Sequence, residues 1–377
     1  MGARSSDKGS KGLGSNKRLD GKALNFFSTR RSSGISTTYT PPGPSIDASG
    51  GTITDWNGYR IHSFPGGSVN SSNPYTFTIP SDATPVIPTT NFDIILVAGG
   101  GSGGDDQPGS YGGGGGGAGG VRFIPQISLP LGSYSISVGG GANAAPGDGV
   151  KGQPTVFNAP NGNGVPAISV AGGGYGGAGG GGGGGAGGSG GGKDYPGSTT
   201  QFGAGNDGLG NTPEPRASGP TSPIGDTKYQ GSPGNGTVED VSYAGGGGGG
   251  ARYSPPTYYQ SPITGPGITV PGPAAGARAQ GGDGIDFSPI IGPYATNGFG
   301  DTNYPTQAWF GGGGHGGIFP GGAGAPGDGG KGGGGRASQP LKNGQSNTGG
   351  GGAVNTGNGG PGIVFIRYKN LGGPTGS

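Results

Sequence analysis

The chain has 377 residues, 106 of them glycine and only 27% hydrophobic, so apolar side chains are too thinly spread to fill two or three ordinary cores. Twenty-one Lys and Arg against 19 Asp and Glu leave a formal charge of +2, without the high-charge signature of a solvated disordered chain. There is no cysteine, which excludes a disulfide framework and a thiolate metal site; two histidines and two glutamates, Glu214 and Glu239, make acid–base groups scarce.

The first 31 residues carry eight Lys/Arg and two Asp, a basic arm ahead of a slightly acidic body. The arm is too polar for a secretory signal, and no run of 18 apolar residues suggests a membrane span. A mitochondrial presequence has a similar composition but is the weaker expectation, because nothing downstream resembles an organellar enzyme. Lys8, Lys11, Lys17, Arg18, Lys22, Arg30 and Arg31 are the candidate attachment residues, suited to docking on an acidic surface and ordering on contact. A plain solvated tail is the alternative.

From Gly50 the pattern changes to short β-prone runs cut by Gly, Pro and Asn. Residues Gly50 to Phe64 predict a hairpin around Asn57-Gly58. Tyr75, Phe77 and Ile79 alternate onto one face of a half-buried strand, whereas Phe92 to Ala98 is nearly continuous and apolar, as a central strand with both faces covered would be. Further strands are predicted at Gly120 to Leu129, Ser133 to Val138 and Ala167 to Ala171, and a last one at Gly362 to Tyr368. The two most apolar strands, Phe92 to Ala98 and Ile363 to Tyr368, bracket the glycine-rich region and are expected to lie close together in one β-sandwich.

Between them, 91 of the 264 residues from Gly99 to Gly362 are glycine, with uninterrupted runs at 112–117, 179–185, 245–250, 311–314, 332–335 and 349–352. A helix is excluded by the cost of about 1 kcal/mol per glycine relative to alanine. Collagen requires glycine at every third place; only Gly321 to Gly335 approaches that register, and it breaks at Arg336. A flexible linker would carry more Ser, Lys and Glu. The favoured expectation is an array of polyproline-II-like glycine strands, whose backbone groups must find partners in neighbouring strands or water.

The phrases ASGGTITDWNGYRIHSF, FDIILVAGGGSGG, GGVRF, LGSYSISVGGG, ISVAGGGYGG and GGPGIVFIRY run in order from about Ala48 to Tyr368. Together they resemble the glycine-rich proteins encoded by tailed bacteriophages, especially those of marine bacteria and cyanobacteria. In architecture the chain is also similar to the glycine-rich domain of anaplastic lymphoma kinase-type receptors, where a tumour-necrosis-factor-like β-sandwich carries bundled glycine helices, although it lacks that family's disulfides and signal peptide. Phage tail-fibre adhesins use similar polyglycine bundles to present host-binding loops. The resemblance implies a mainly β fold: a jelly-roll or TNF-like β-sandwich with a large inserted bundle of polyglycine-II helices and essentially no α-helix. The expected organisation is an attachment arm at 1–45, a sandwich at 46–171 and 362–371 with its first glycine-rich loop at 99–120, and a bundle at 172–361 with Pro- and aromatic-rich loops at 195–310.

Chemical motifs are hard to separate from chance in so much glycine. Gly100 to Gly104 and Gly187 to Gly191 both spell G-x-S-x-G, but neither lies between an apolar strand and a helix-forming segment. Gly187 to Lys193 resembles a phosphate loop, yet Asp194 stands where Ser or Thr should hold magnesium. Gly281 to Asp286 matches the start of a calcium-binding nonapeptide, but Ser288 breaks the motif and no tandem repeat follows. His62 and His315 lack ligand-spaced partners and are expected to be structural. RGG repeats are absent, so specific nucleic-acid binding is not expected. Tyr253, Tyr258, Tyr259, Tyr304 and Trp309 are the candidate contacts for a host glycan or protein, since aromatics on loops offer rigid contact area. Sealing the bundle is the competing role.

The expectation is a non-enzymatic virion structural protein without a cofactor: a tail fibre, adhesin or head-surface fibre, assembled in the host cytoplasm. Its partners would be other virion proteins and a host-surface glycan or protein, and it would be a homo-oligomer, with a trimer the first choice. The alternative is an ice-binding or cell-surface adhesion protein that uses a flat polyglycine face.

Overall fold

The computed structural model describes residues 48–67, 70–80, 91–105, 112–158, 165, 167–179, 183–192, 227–229, 248–251, 280–317, 328–336 and 341–370. In chain order the strands are β1 (Thr52–Trp56), β2 (Tyr59–Pro65), β3 (Ser72–Ile79), β4 (Asn91–Val97), β5 (Val121–Ser128), β6 (Gly132–Gly139), β7 (Thr155–Asn158), β8 (Ile168–Val170), β9 (Thr227–Tyr229), β10 (Ile285–Asp286), β11 (Trp309–Phe310) and β12 (Ile363–Lys369). Two single-turn helices, α1 (Ser288–Ile291) and α2 (Tyr294–Asn297), lie between β10 and β11.

The β1–β2 hairpin turns at Asn57 and Gly58, both with positive φ, 49° and 77°. Two left-handed residues are what a tight two-residue hairpin demands, and Asn-Gly is the pair that adopts them most readily. Among the described residues all pairing is antiparallel. The largest sheet has the order β1-β2-β12-β4-β5-β9, the second β3-β6-β7-β8, and β10 pairs with β11 alone. β4 and β12 are direct neighbours, with Ile95 opposite Phe365 and Val97 opposite Ile363. The two apolar strands are therefore adjacent as expected, joined by main-chain hydrogen bonds within one sheet.

Both faces of that sheet are covered. On one side Phe64, Phe92, Ile94, Leu96, Val364 and Ile366 meet Phe77, Tyr134, Ile136, Val138 and Phe157 of the second sheet. On the other, Ile61, Ile95, Val97, Val121, Ile363 and Phe365 meet Ile285, Phe287, Ile291 and Phe310 of the 280–310 segment. β4 and β12 supply side chains to both clusters, which is why their sequences read as continuous apolar runs. A bulge between Phe92 and Ile94 interrupts the β4–β5 register. There Asp93 accepts the Gln126 N–H and pairs with Arg367, whose other nitrogen donates to the Ile290 carbonyl. The guanidinium also lies 4.1 Å from the Tyr59 ring centroid, tying sheet, bulge and α1 together.

The expected jelly-roll or TNF-like sandwich with an inserted polyglycine-II bundle is corrected by this arrangement. The strands form three separate antiparallel sheets, and no sheet closes on itself among the described residues. The mainly β, nearly helix-free character is as expected: among the described residues helix is limited to two four-residue turns. Among the described residues the glycine segments carry no regular element and do not stand apart as a bundle, because their hydrogen bonds tie them to the sheet ends and to one another. Ala98 donates to Gly120, Gly362 to Gly139 and Gly120 to Ala171, joining the ends of β4, β5, β6 and β12 to the glycine network.

Within that network, successive residues bond to different neighbours in rotation. Gly99, Ser102 and Asp105 donate to Gln153, Val150 and Gly147; Gly100 and Gly103 donate to Gly360 and Gly357; Gly101 and Gly104 donate to Gly117 and Gly114. Donors three residues apart meet acceptors three residues apart, so one extended segment serves three others. A side chain has no room there: a Cβ on Gly101 would lie 2.0 Å from the Gly174 carbonyl oxygen. Backbone groups, which must be satisfied when buried, replace side chains as the cohesive material.

Candidate functional site

The segment from Gly281 to Phe310 covers the outer face of the largest sheet and carries the chemistry not consumed by packing. Pro289 in the first turn of α1 and the glycines that follow each helix, Gly292 (φ 84°) and Gly298 (φ 75°), start and stop the two turns. Ile291 and Phe287 anchor the segment in the apolar cluster. Asp286 accepts hydrogen bonds from the backbone N–H groups of Ser288 and Ala308 and from the Gln307 side chain, fixing the return from β10 to β11.

Asp301 is the organising residue. It is 2% exposed, yet five donors converge on its carboxylate. Asn303 N, Asn303 Nδ2 and Gln345 Nε2 reach Oδ1 at 2.9, 2.7 and 2.7 Å, while Gly332 N and Gly333 N reach Oδ2, each at 3.0 Å. A buried carboxylate is tolerated when its charge is surrounded by donors. Gln345 in turn accepts from Thr302 N and Oγ1, both at 2.9 Å. The 300–303 turn, the 332–333 glycines and the 345–347 loop are thereby held in one arrangement.

Beside this clamp lies a groove of about 340 Å³ lined by Tyr294, Gly298, Phe299, Gly300, Thr302, Gln345, Ser346 and Asn347. Phe299 makes an edge contact with Phe365 from the sheet below, 5.9 Å between centroids. Asn347 adopts φ 60°, and its Oδ1 accepts the Gly66 N–H at 3.1 Å. The groove wall is therefore fixed from two directions.

Of the aromatic candidates, Tyr304 and Trp309 lie next to each other, 6.5 Å between ring centroids, and Lys331 stands over both at 5.5 and 5.2 Å. Trp309 is buried on β11 and its indole N–H has no hydrogen-bond partner among the described residues. Burial, with Asp301 and Asp283 nearby, raises the Tyr304 pKa. Tyr253, Tyr258 and Tyr259 lie outside the described residues, as do Lys8, Lys11, Lys17, Arg18, Lys22, Arg30 and Arg31.

The weaker motifs also have definite places. Ser102 is fully buried and its Oγ accepts the Val150 N–H at 2.7 Å; Ser189 is fully buried and its hydroxyl has no partner among the described residues. In the calcium-like stretch, Asp283 accepts the Lys331 N–H while Asp286 is occupied as above. Among the described residues no three His, Cys, Asp or Glu side chains group so as to hold a metal ion. His62 is buried between Phe77 and Tyr368; its Nδ1 lies 2.7 Å from the Gly50 oxygen and its Nε2 3.2 Å from the Tyr368 hydroxyl, while burial lowers its pKa. His315 is fully buried in the glycine network with no well-formed hydrogen bond to either ring nitrogen among the described residues, and burial, opposed by the Gly316 main chain and Asp328, pushes its pKa down to about 4.

Asp301, Gln345, Asn347 and Phe299 were not singled out by the sequence. Asp301-Thr302-Asn303 does contain a local signal, an Asp whose carboxylate caps the N–H two residues on. Its link to Gln345, 44 residues away, has none.

No curated protein matches this chain. A family model described as a glycine-rich domain matches residues 68–369, which takes in β3 to β12, the backbone network and the Asp301 clamp but not the β1–β2 hairpin, and the chain belongs to that glycine-rich domain family.

Proposed function

We propose that the protein is a non-enzymatic structural component of a bacteriophage virion, a tail fibre, adhesin or head-surface fibre, that holds a recognition surface rigidly away from the particle. The basic arm supplies attachment to other virion proteins, and the loops at the margin of the glycine network supply host contact. The observation that carries this reading is the use of backbone hydrogen bonds: the glycine N–H groups from Gly99 to Gly104 are all taken by other segments of the same chain. Such a network offers little to a ligand but makes a stiff support, so recognition falls to what it holds in place. The same observation favours display over ice binding through a flat polyglycine face, because the glycines at 112–117, 311–314 and 349–352 are buried.

Mass spectrometry of purified particles, with the full chain and with residues 1–31 deleted, tests this reading. The full chain is expected in the particle and the deleted chain to be lost from it. Absence of the full chain from particles would overturn the virion assignment, and undiminished incorporation of the deleted chain would overturn the role of the arm.

A further inference from the structure

The geometry points to the groove between α2 and the 345–347 loop as a binding site for a neutral saccharide. This rests on the display reading above and names the ligand class and residues through which host contact would occur. The groove combines two aromatic residues, Tyr294 and Phe299, with hydroxyl and amide groups from Thr302, Ser346, Gln345 and Asn347, and among the described residues no charged one lines it. Saccharides present apolar C–H faces and hydroxyl edges, which aromatic surface and neutral hydrogen-bonding groups match.

Several of these polar groups are uncommitted. Asn347 uses Oδ1 on Gly66, and its Nδ2 has no partner among the described residues; neither does the Tyr294 hydroxyl nor the Ser346 hydroxyl. Tyr294 and Phe299 both keep part of their surface open. The groups that shape the groove are, by contrast, saturated: Gln345 bridges Thr302 and Asp301, and Asp301 holds five donors. A firm wall with free donors and acceptors at its surface reduces the ordering cost of binding. The volume of about 340 Å³ lies at the small end of ligand clefts, which run from about 300 to 1,000 Å³, and suits one or two sugar rings rather than a long chain. A neutral lining also selects against acidic sugars, for which it offers no cation.

Saturation-transfer NMR on the full chain, with maltose, cellobiose, N,N′-diacetylchitobiose and the acidic 3′-sialyllactose at millimolar concentration, tests the site. At least one neutral disaccharide is expected to give saturable transfer. Tyr294→Ala removes an aromatic wall, with an expected weakening of roughly tenfold, about 1.4 kcal/mol. Asn347→Asp keeps the oxygen that accepts from Gly66 but removes the free N–H donors, with an expected loss of roughly fivefold. Weakening in either variant, with an unchanged thermal midpoint, places the sugar in the groove. Absence of transfer from all three neutral disaccharides, binding that survives both substitutions, or preference for the sialylated sugar would overturn the proposal. Particle incorporation is independent of these outcomes, so failure of the groove and failure of the virion reading are distinguishable.

Discussion

β4 and the segment that follows it, Gly99 to Asp105, are continuous in the chain and are held by different means. β4 sends Phe92, Ile94 and Leu96 into one apolar cluster and Ile95 and Val97 into the other. The next segment has almost no side chains to bury and binds through main-chain groups, which reach Gln153, Gly360, Gly117, Val150, Gly357, Gly114 and Gly147 in turn. The first region loses stability when side chains shrink. The second loses it when they grow.

The largest expected effect breaks the apolar half of this comparison. Phe365→Ala empties a site that is 1% exposed and contacts Phe299 and Phe310, and should cost about 4 kcal/mol in urea unfolding. The complementary substitution is Gly101→Ala, a single methyl. Its Cβ would lie 2.0 Å from the Gly174 oxygen and 2.9 Å from the Gly173 oxygen, so only backbone can yield, and a loss of about 3 kcal/mol is expected in the same assay. Equal stability of Gly101→Ala and wild type would show that the network is looser than the hydrogen bonds imply.

A pH titration probes both regions through their histidines. Burial lowers the pKa of His315 from the ordinary 6.5 to about 4, so the unfolded chain takes up protons between those values while the folded chain does not. Stability is therefore full above about pH 6.5 and falls as the pH drops toward 4, by about 3 kcal/mol from this residue. The Gly316 main chain and, less strongly, Asp328 oppose this by favouring the protonated ring. His62, lowered chiefly by burial in the sheet region, adds a loss of the same sign. Urea unfolding across this range should show the decline, and His315→Leu should flatten it, leaving the contribution of His62. An unaltered slope in that variant would contradict the burial of a neutral imidazole in the network.

The smallest effect sharpens the comparison from the other side. A Cβ on Gly183 meets nothing within 4 Å, so Gly183→Ala should leave stability within about 0.5 kcal/mol of wild type in urea unfolding, with any gain coming from a less flexible unfolded chain. A large loss would mean that glycine is required throughout its runs rather than where segments cross.

What the sequence made legible follows the same division. The β1–β2 hairpin, the faces of β3 and β6, the doubly buried β4 and its proximity to β12 were readable because alternation and apolar runs record which side chains are buried. The short β7, β9, β10 and β11 and the two helical turns escaped, since so few residues carry little periodicity, whereas the equally short β8 was marked by its apolar Ile168 and Val170 ahead of a glycine run. The expected inserted bundle was wrong because glycine carries no side-chain record of its neighbour. Nothing in GGG distinguishes a segment bonded to its own run from one bonded to the end of β5. The clamp was hidden for a related reason: Asp301 and Gln345 acquire their roles from a contact across 44 residues, whereas Tyr304 and Trp309 advertised themselves by type, and Trp309 proved buried.

The central claim is that the glycine segments form a cohesive, backbone-bonded core beside the apolar one. Residue-resolved amide hydrogen exchange of the full chain tests it most directly. The account predicts that the amides of Gly99 to Gly104, Gly116, Gly117, Gly173, Gly174 and Gly349 to Gly352 are protected to the same order as those of β4 and β12, because both groups open only with global unfolding. Exchange of these glycine amides at the rate of an unstructured chain, with β4 and β12 still protected, would contradict it.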